Sequence, residues 1–249
     1  MEAARKIRDA VAHVSQLRQA LEDHPALGAA VGQVKRVQFQ RFAGTYSDLL
    51  AGNGSAYAAP ARFFLSELYS DKDYAERDAQ FARIAGAIEK FFPDQVVATA
   101  VALAELHALT EELDQAMALV WLAQDGEEAS DARRYVLAWR EVGRREDREG
   151  QLTVVLRIGK EMAKLTRTAG LRTMLRMMRG PATAAGLGSL QRFLESGFDT
   201  FAAMAKRPGG AEEFLGIIQG RESSLIKMLF DAGLVACETD LSRTLGQAP

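Results

Sequence analysis

The chain has 249 residues, 48% of them hydrophobic, and a formal net charge of −2. That is enough apolar material for a substantial core, which excludes a disordered chain, and no run of about 18 apolar residues offers a membrane span. A single cysteine, Cys237, excludes an internal disulfide and a cysteine-rich zinc site, so a reducing, cytoplasmic setting without bound metal is expected.

Few prolines and an abundance of Ala, Leu, Arg and Glu favour helix over strand, because these side chains lose little freedom in a helix. The expected fold is all-α: a single bundle of about eight helices over residues 1–238, followed by a flexible polar tail over 239–249. Ile7, Val11, Val14, Leu17 and Leu21 recur every three or four residues and define the first amphipathic helix, ended by His24-Pro25. The charged start of that helix has no apolar stretch of the signal-peptide kind. A second helix is predicted from Pro25 to Leu50, carrying Val34, Val37, Phe42 and Tyr46, before a loop from Ala51 to Ser55. Pro60 suits the first turn of a third helix, and Ser70-Asp71 offers its stop and the next N-cap. The helix that follows runs to Phe92, with Tyr74, Phe81, Ile84, Ile88 and Phe91 as its apolar stripe.

From Gln95 to Ala123 the pattern is apolar enough for a central helix, ended by Asp125-Gly126. Ser130-Asp131 opens another helix through Arg145, and a further one runs to Ala169, where Gly170 bends or divides the chain. Residues 171–179 continue to Gly180-Pro181, a helix from Ala184 to Lys206 follows, and the last long helix spans Ala211 to Val235. No repeat of fixed period shows, so a solenoid is not the expected architecture.

The densest mixture of aromatic and charged residues is Arg62-Phe63-Phe64-Leu65-Ser66-Glu67-Leu68-Tyr69, continued by Asp73-Tyr74, Arg77-Asp78 and Phe81-Ala82-Arg83-Ile84. A second such series runs from Gly186 to Phe198, with Gly210-Ala211-Glu212-Glu213-Phe214-Leu215 and Arg221-Glu222 beyond it. Together they resemble the uncharacterised bacterial proteins named after a Phe-Phe-Leu-Glu-Glu-Leu-Tyr motif, over most of residues 57 to 230. Ser66 departs from the Glu of that motif. The resemblance implies common ancestry and no particular chemistry.

On helices, Arg62, Phe63, Phe64, Glu67, Tyr69, Asp73, Tyr74, Arg77 and Asp78 form one candidate cluster, and Arg192, Glu195, Arg221 and Glu222 a second. If the two meet, an arginine can anchor a carboxylate or phosphate whose apolar part lies among the aromatic rings. The structural alternative is that the charges tie helices together at partly buried corners. The readings therefore expected are a non-catalytic protein that binds a small amphipathic or anionic ligand or a protein partner and, second, a helical haem- or metal-dependent oxygenase-like enzyme.

Catalytic motifs are lacking: there is no Gly-x-Ser-x-Gly and no Walker loop, and Gly186-x-Gly188 follows no strand. A di-iron bundle needs Glu-x-x-His pairs, and none of His13, His24 and His107 stands in one, so His107 reads as a hydrogen-bonded core residue and Cys237 as a core filler.

Charge is segregated along the chain. Phe91 to Ala132 holds nine acids and no Lys or Arg, whereas Leu156 to Arg192 holds eight bases and one acid. Arg157, Lys160, Lys164 and Arg167 share one helical face, and Arg172, Arg176 and Arg179 another, beside Leu171, Met174, Leu175 and Met178. Pairing with the acidic helix over residues 105–131 is the simplest use of these bases. Peripheral attachment to an anionic membrane surface is the functional one. Nucleic acid is disfavoured, since aromatics do not interleave with the bases and the total charge is slightly negative.

Overall fold

The computed structural model describes residues 1–51, 57–67, 72, 74–124, 129–207 and 209–248. Tyr69 and Asp73 of the first candidate cluster, and Asp125, Glu127 and Glu128 of the acidic segment, lie outside these. Every regular element among the described residues is a helix: α1 (Glu2–Asp23), α2 (Pro25–Thr45), α3 (Ser47–Leu50), α4 (Ala58–Glu67), α5 (Ala75–Phe91), α6 (Asp94–Ala123), α7 (Asp131–Val142), α8 (Arg145–Leu165), α9 (Leu171–Met177), α10 (Arg179–Ala184), α11 (Gly188–Met204), α12 (Gly210–Asp231) and α13 (Leu234–Leu245).

The helix boundaries follow local chemistry. Pro25 opens α2, where a missing N–H is harmless, and the Ser130 hydroxyl caps α7 by accepting from the Arg133 amide at 3.1 Å. Gly170, at φ 78°, supplies the left-handed residue that separates α8 from α9.

The all-helical class is observed, but the helices outnumber the eight expected, for three physical reasons. Tyr46 leaves helical geometry and separates α3 from α2. The segment after Gly170 forms two short helices. The expected flexible tail from residue 239 is instead the second half of α13, because Leu234, Cys237, Leu241 and Leu245 line one stripe that packs on the core. Phe91 also departs from expectation. It stands 72% exposed at the end of α5, whose buried stripe runs through Asp78, Ala85 and Ile88.

Packing groups the described chain into two compact units, and α1, α6, α8 and α12 each contribute residues to both. Unit 1 comprises residues 1–15, 72–108 and 154–216. Its core joins Ala4, Ile7, Ala10 and Val14 of α1 to Ala85 of α5 and Ala104 and Ala108 of α6, small side chains that let helices approach closely. Unit 2 comprises residues 16–71, 109–153 and 217–249. Its core gathers Leu27, Val31 and Val34 of α2, Met117 and Trp121 of α6, Tyr135, Val136 and Trp139 of α7, and Leu229, Cys237 and Leu241 from the C-terminal helices. Cys237, fully buried, fills this core as its isolation in the sequence suggests.

Arginines of α7 close the ends of neighbouring helices in unit 2. Arg134 donates to the Trp121 carbonyl at 2.9 Å near the end of α6, and Arg140 to the Leu229 carbonyl at 2.7 Å near the end of α12. Both place a cation at the negative end of a helix dipole. Gly44 is required for a different reason: a Cβ there would collide with the Thr244 carbonyl, so glycine alone lets α13 lie directly on α2.

Candidate functional site

Unit 2 contains a charge network inside its core. In α2, Arg41 follows Val34 and Val37 on the buried stripe, and in α12 Glu222 lies between Ile218 and Ile226, so helical spacing turns both charges inward. One Arg41 nitrogen, Nη1, donates to both Glu222 oxygens, at 2.7 and 2.9 Å, and the Tyr46 hydroxyl donates to the same carboxylate at 3.0 Å. Arg221, at the rim, donates to the Thr45 carbonyl and to both oxygens of Asp48, all within 2.8 Å. That guanidinium holds the Asp48 carboxyl below its ordinary range, and Asp48 in turn raises Arg221.

The aromatic segment reaches the same neighbourhood. Phe64 is buried, Phe63 and Glu67 are half-buried, and the exposed Arg62 extends its side chain to the Leu50 carbonyl at 3.3 Å. Both Arg62 and Arg221 therefore end on α3, and α4 packs on α2 and α3.

A second group of buried polar residues in unit 2 is arranged differently. Arg148 of α8 is 7% exposed, yet no carboxylate lies within salt-bridge distance of it among the described residues. Its hydrogen bonds go to weak acceptors, the Gln151 amide oxygen at 3.3 Å and the Met117 sulfur at 3.1 Å, while its guanidinium stacks 4.1 Å from the centre of the Trp139 ring. Burial pulls its pKa down, opposed by the nearby Tyr135 and Asp114.

Tyr135 is 1% exposed, and burial pushes its hydroxyl up against the pull of Arg41 and Arg148. The indole nitrogen of Trp139, one helical turn further along α7, is buried without a hydrogen-bond partner among the described residues. Asp114 accepts from the Gln38 amide at 2.8 Å, and burial pushes its carboxyl up against the pull of Lys35. The cluster thus sets a guanidinium, an indole N–H and a phenol beside one carboxylate, Asp114.

In unit 1 the remaining candidates build the junction of α5 with α11. Arg77 lies between the rings of Tyr74, 3.9 Å away, and Phe193, 4.5 Å away, and the buried Asp78 is 3.0 Å from Nε2 of His107. The N-terminus of α11 has no cap of its own. Instead Gln80 accepts from the Leu190 amide at 2.8 Å, and the Ser189 hydroxyl donates to Glu76 at 2.9 Å. Arg192 donates to the Ser189 hydroxyl, and Glu195 accepts from Arg179 and Gln191. The two candidate clusters are therefore regrouped: Arg62, Phe63, Phe64 and Glu67 share unit 2 with Arg221 and Glu222, while Tyr74, Arg77 and Asp78 share unit 1 with Arg192 and Glu195.

Among the described residues the bases find acids nearer than the acidic segment. Lys164 bonds Glu161 at 2.7 Å, Arg172 bonds Asp199 at 2.8 Å and Arg179 bonds Glu195, because α8 and the adjacent α11 already supply acids. The acids Glu111 and Glu112 are taken by Lys35 and Arg144. Unit 1 also bears an open groove of about 830 Å³ lined by parts of α1, α6 and α8, including Lys6, Glu105 and Arg157.

Arg41, Asp114, Tyr135 and Arg148 are buried polar residues that the sequence motifs do not single out. Arg41 and Arg148 are findable as charges on apolar stripes, the latter four and eight residues before Leu152 and Leu156. Among the described residues no three His, Cys, Asp or Glu side chains form a metal-holding group, and no helix is long and apolar enough to cross a membrane.

These features define an all-helical protein with two compact units and a polar network inside one of them. The chain belongs to the family described as Domain of unknown function (DUF8198), whose model matches residues 16–234 and so includes Arg41, Tyr135, Arg148 and Glu222. Neither the curated proteins nor the solved structures contain a match to it.

Proposed function

We propose that the protein is a non-catalytic binding protein and that the interior of unit 2 holds a small monocarboxylate against Arg148 and Tyr135. The observation that carries this reading is the Arg148 guanidinium, buried beside an aromatic ring with only an amide oxygen and a thioether as acceptors. An uncompensated buried charge costs several kcal/mol, and stacking on Trp139 returns about 2 kcal/mol of that. A ligand carboxylate meets the remainder with charge-assisted hydrogen bonds.

The charge balance supports a single negative charge. Glu222 already accepts from Arg41, and Asp114, whose carboxyl burial pushes up, makes no salt bridge to Arg148 among the described residues. Met117, Val136 and Trp139 around the site favour an apolar tail on the ligand. The likeness of residues 63–69 to the heptad of the Phe-Phe-Leu-Glu-Glu-Leu-Tyr proteins belongs to the same proposal, since α4 lies in this unit.

Calorimetric titration of the full chain with straight-chain monocarboxylates, with inorganic phosphate as the control, tests this reading. Saturable binding of a carboxylate is expected, weakened roughly tenfold or more in Tyr135→Phe and abolished in Arg148→Met. If water alone satisfies these donors, no carboxylate will bind or raise the melting temperature, and the reading is lost.

A further inference from the structure

The stretch from Arg167 to Gly186 is the most exposed part of unit 1. Arg167 to Gly170, Arg172 to Met174, Arg176 to Pro181 and Thr183 to Gly186 are all solvent-exposed, and α9 buries none of its residues. Three methionines stand in water there: Met174 is 40% exposed, Met177 67% and Met178 48%. Large apolar side chains clustered in this way on one surface mark a contact site.

The helical wheel of α9 shows how the face is built. Leu171 and Leu175, half-buried, turn toward the body of the unit. At 100° per residue, Arg172 and Arg176 then fall on one flank, Met174 and Met177 on the other, and Thr173 on the outer crest. Residues 162–194 carry Lys164, Arg167, Arg172, Arg176, Arg179 and Arg192 and not one Asp or Glu.

The bases of this segment have separate tasks. Arg172 and Arg179 reach Asp199 and Glu195 and so hold α9 and α10 to α11. Arg167 and Arg176 have no carboxylate within salt-bridge distance among the described residues, and both are exposed. The structure thus presents two exposed arginines without a salt bridge among the described residues, Arg176 being within electrostatic reach of Glu195, together with three exposed thioether side chains.

We infer that this face docks on an anionic phospholipid bilayer, with Arg167 and Arg176 attracted to the headgroups and Met174, Met177 and Met178 entering the interface. Charge complementarity selects the occupant, because the exposed Arg167 and Arg176, which make no salt bridge among the described residues, are drawn to a surface of dense negative charge. The thioethers select lipid over a nucleic acid, whose phosphates offer them nothing apolar. An exposed amphipathic helix with basic residues on one flank suits the plane of a bilayer interface. No bilayer-spanning helix is involved, so attachment is peripheral and reversible. This inference concerns unit 1 and is independent of the ligand proposed for unit 2.

Sedimentation of the full chain with vesicles of phosphatidylcholine alone, and of phosphatidylcholine mixed with phosphatidylglycerol, tests it. Binding is expected only to the mixed vesicles and should weaken as salt is added, because screening shortens the reach of the attraction. Arg167→Ser with Arg176→Ser should reduce partitioning by about 25-fold, at about fivefold for each arginine. Met174→Ser, Met177→Ser and Met178→Ser together should remove the part of the binding that survives high salt. Neither variant should alter helicity or melting temperature, since all five substituted side chains are exposed. Equal sedimentation with both vesicle types, or binding unchanged in both variants, overturns the inference. So does a failure to sediment with anionic vesicles at any salt concentration, which would leave an acidic protein surface as the occupant.

Discussion

Two buried arginines in unit 2 sit in opposite electrostatic circumstances. Around Arg41 the charges close on themselves: Glu222 accepts two hydrogen bonds from it, Tyr46 donates a third to the same carboxylate, and Arg221 with Asp48 seals the rim. Around Arg148 nothing closes, since the side chain meets an amide oxygen, a sulfur atom and an aromatic face. Burial is comparable, at 4% and 7% exposure, so what differs is the chemistry of the acceptors. The closed network ties α2 to α12 through a carboxylate that accepts from both Arg41 and Tyr46. The open one engages only weak acceptors, an amide oxygen and a thioether.

The largest expected effect breaks the closed side. Glu222→Ala leaves Arg41 as a buried cation without its carboxylate and should destabilise unit 2 by about 3–5 kcal/mol, read as a shift of the urea midpoint with an unchanged slope. Arg148→Met should behave quite differently. Without ligand it removes a charge that has no carboxylate partner, so stability should stay within about 1 kcal/mol of the wild type or rise above it. Comparable losses in the two variants would erase the distinction between the regions and the ligand proposal with it.

Much of this architecture is legible in the sequence, and what is not has physical causes. The stripes of α1, the Pro25 start of α2, the Ser130 cap and the Gly170 break all act locally, so periodicity and turn chemistry reveal them. The C-terminal helix is hidden because the polar residues of 239–249 outweigh Leu241 and Leu245, whose value emerges only when Gly44 admits α13 against α2. The site is less legible than the fold. Aromatic and charged residues clustered in sequence point to Arg77 and Arg221, yet helical spacing alone places Arg41 and Arg148 on apolar stripes. No local signal states that one of them meets a glutamate 181 positions away and the other meets none.

Acid titration sharpens the comparison further, because the two regions hold aspartates that shift in opposite directions. Burial raises Asp114 above its ordinary 3.8, so the folded state holds that proton more tightly than the unfolded chain. Its contribution to stability is present below 3.8 and is lost as pH rises through the raised value. Asp114→Asn should therefore match the wild type in acid and exceed it at neutral pH.

Asp48 has the reverse sign and a smaller effect. Arg221 lowers its pKa, so its contribution is present above 3.8 and disappears as pH falls through the lowered value. Because the Asp48 side chain is 58% exposed, solvent screens the pair, and Asp48→Asn should lose under about 1 kcal/mol at pH 7. That loss should shrink in high salt and vanish in strong acid. Urea midpoints of the two variants across the acidic range must diverge from the wild type in opposite directions as pH rises. Curves that move together would mean that the open and closed regions respond as one electrostatic body, and the freedom assigned to Arg148 would have no basis.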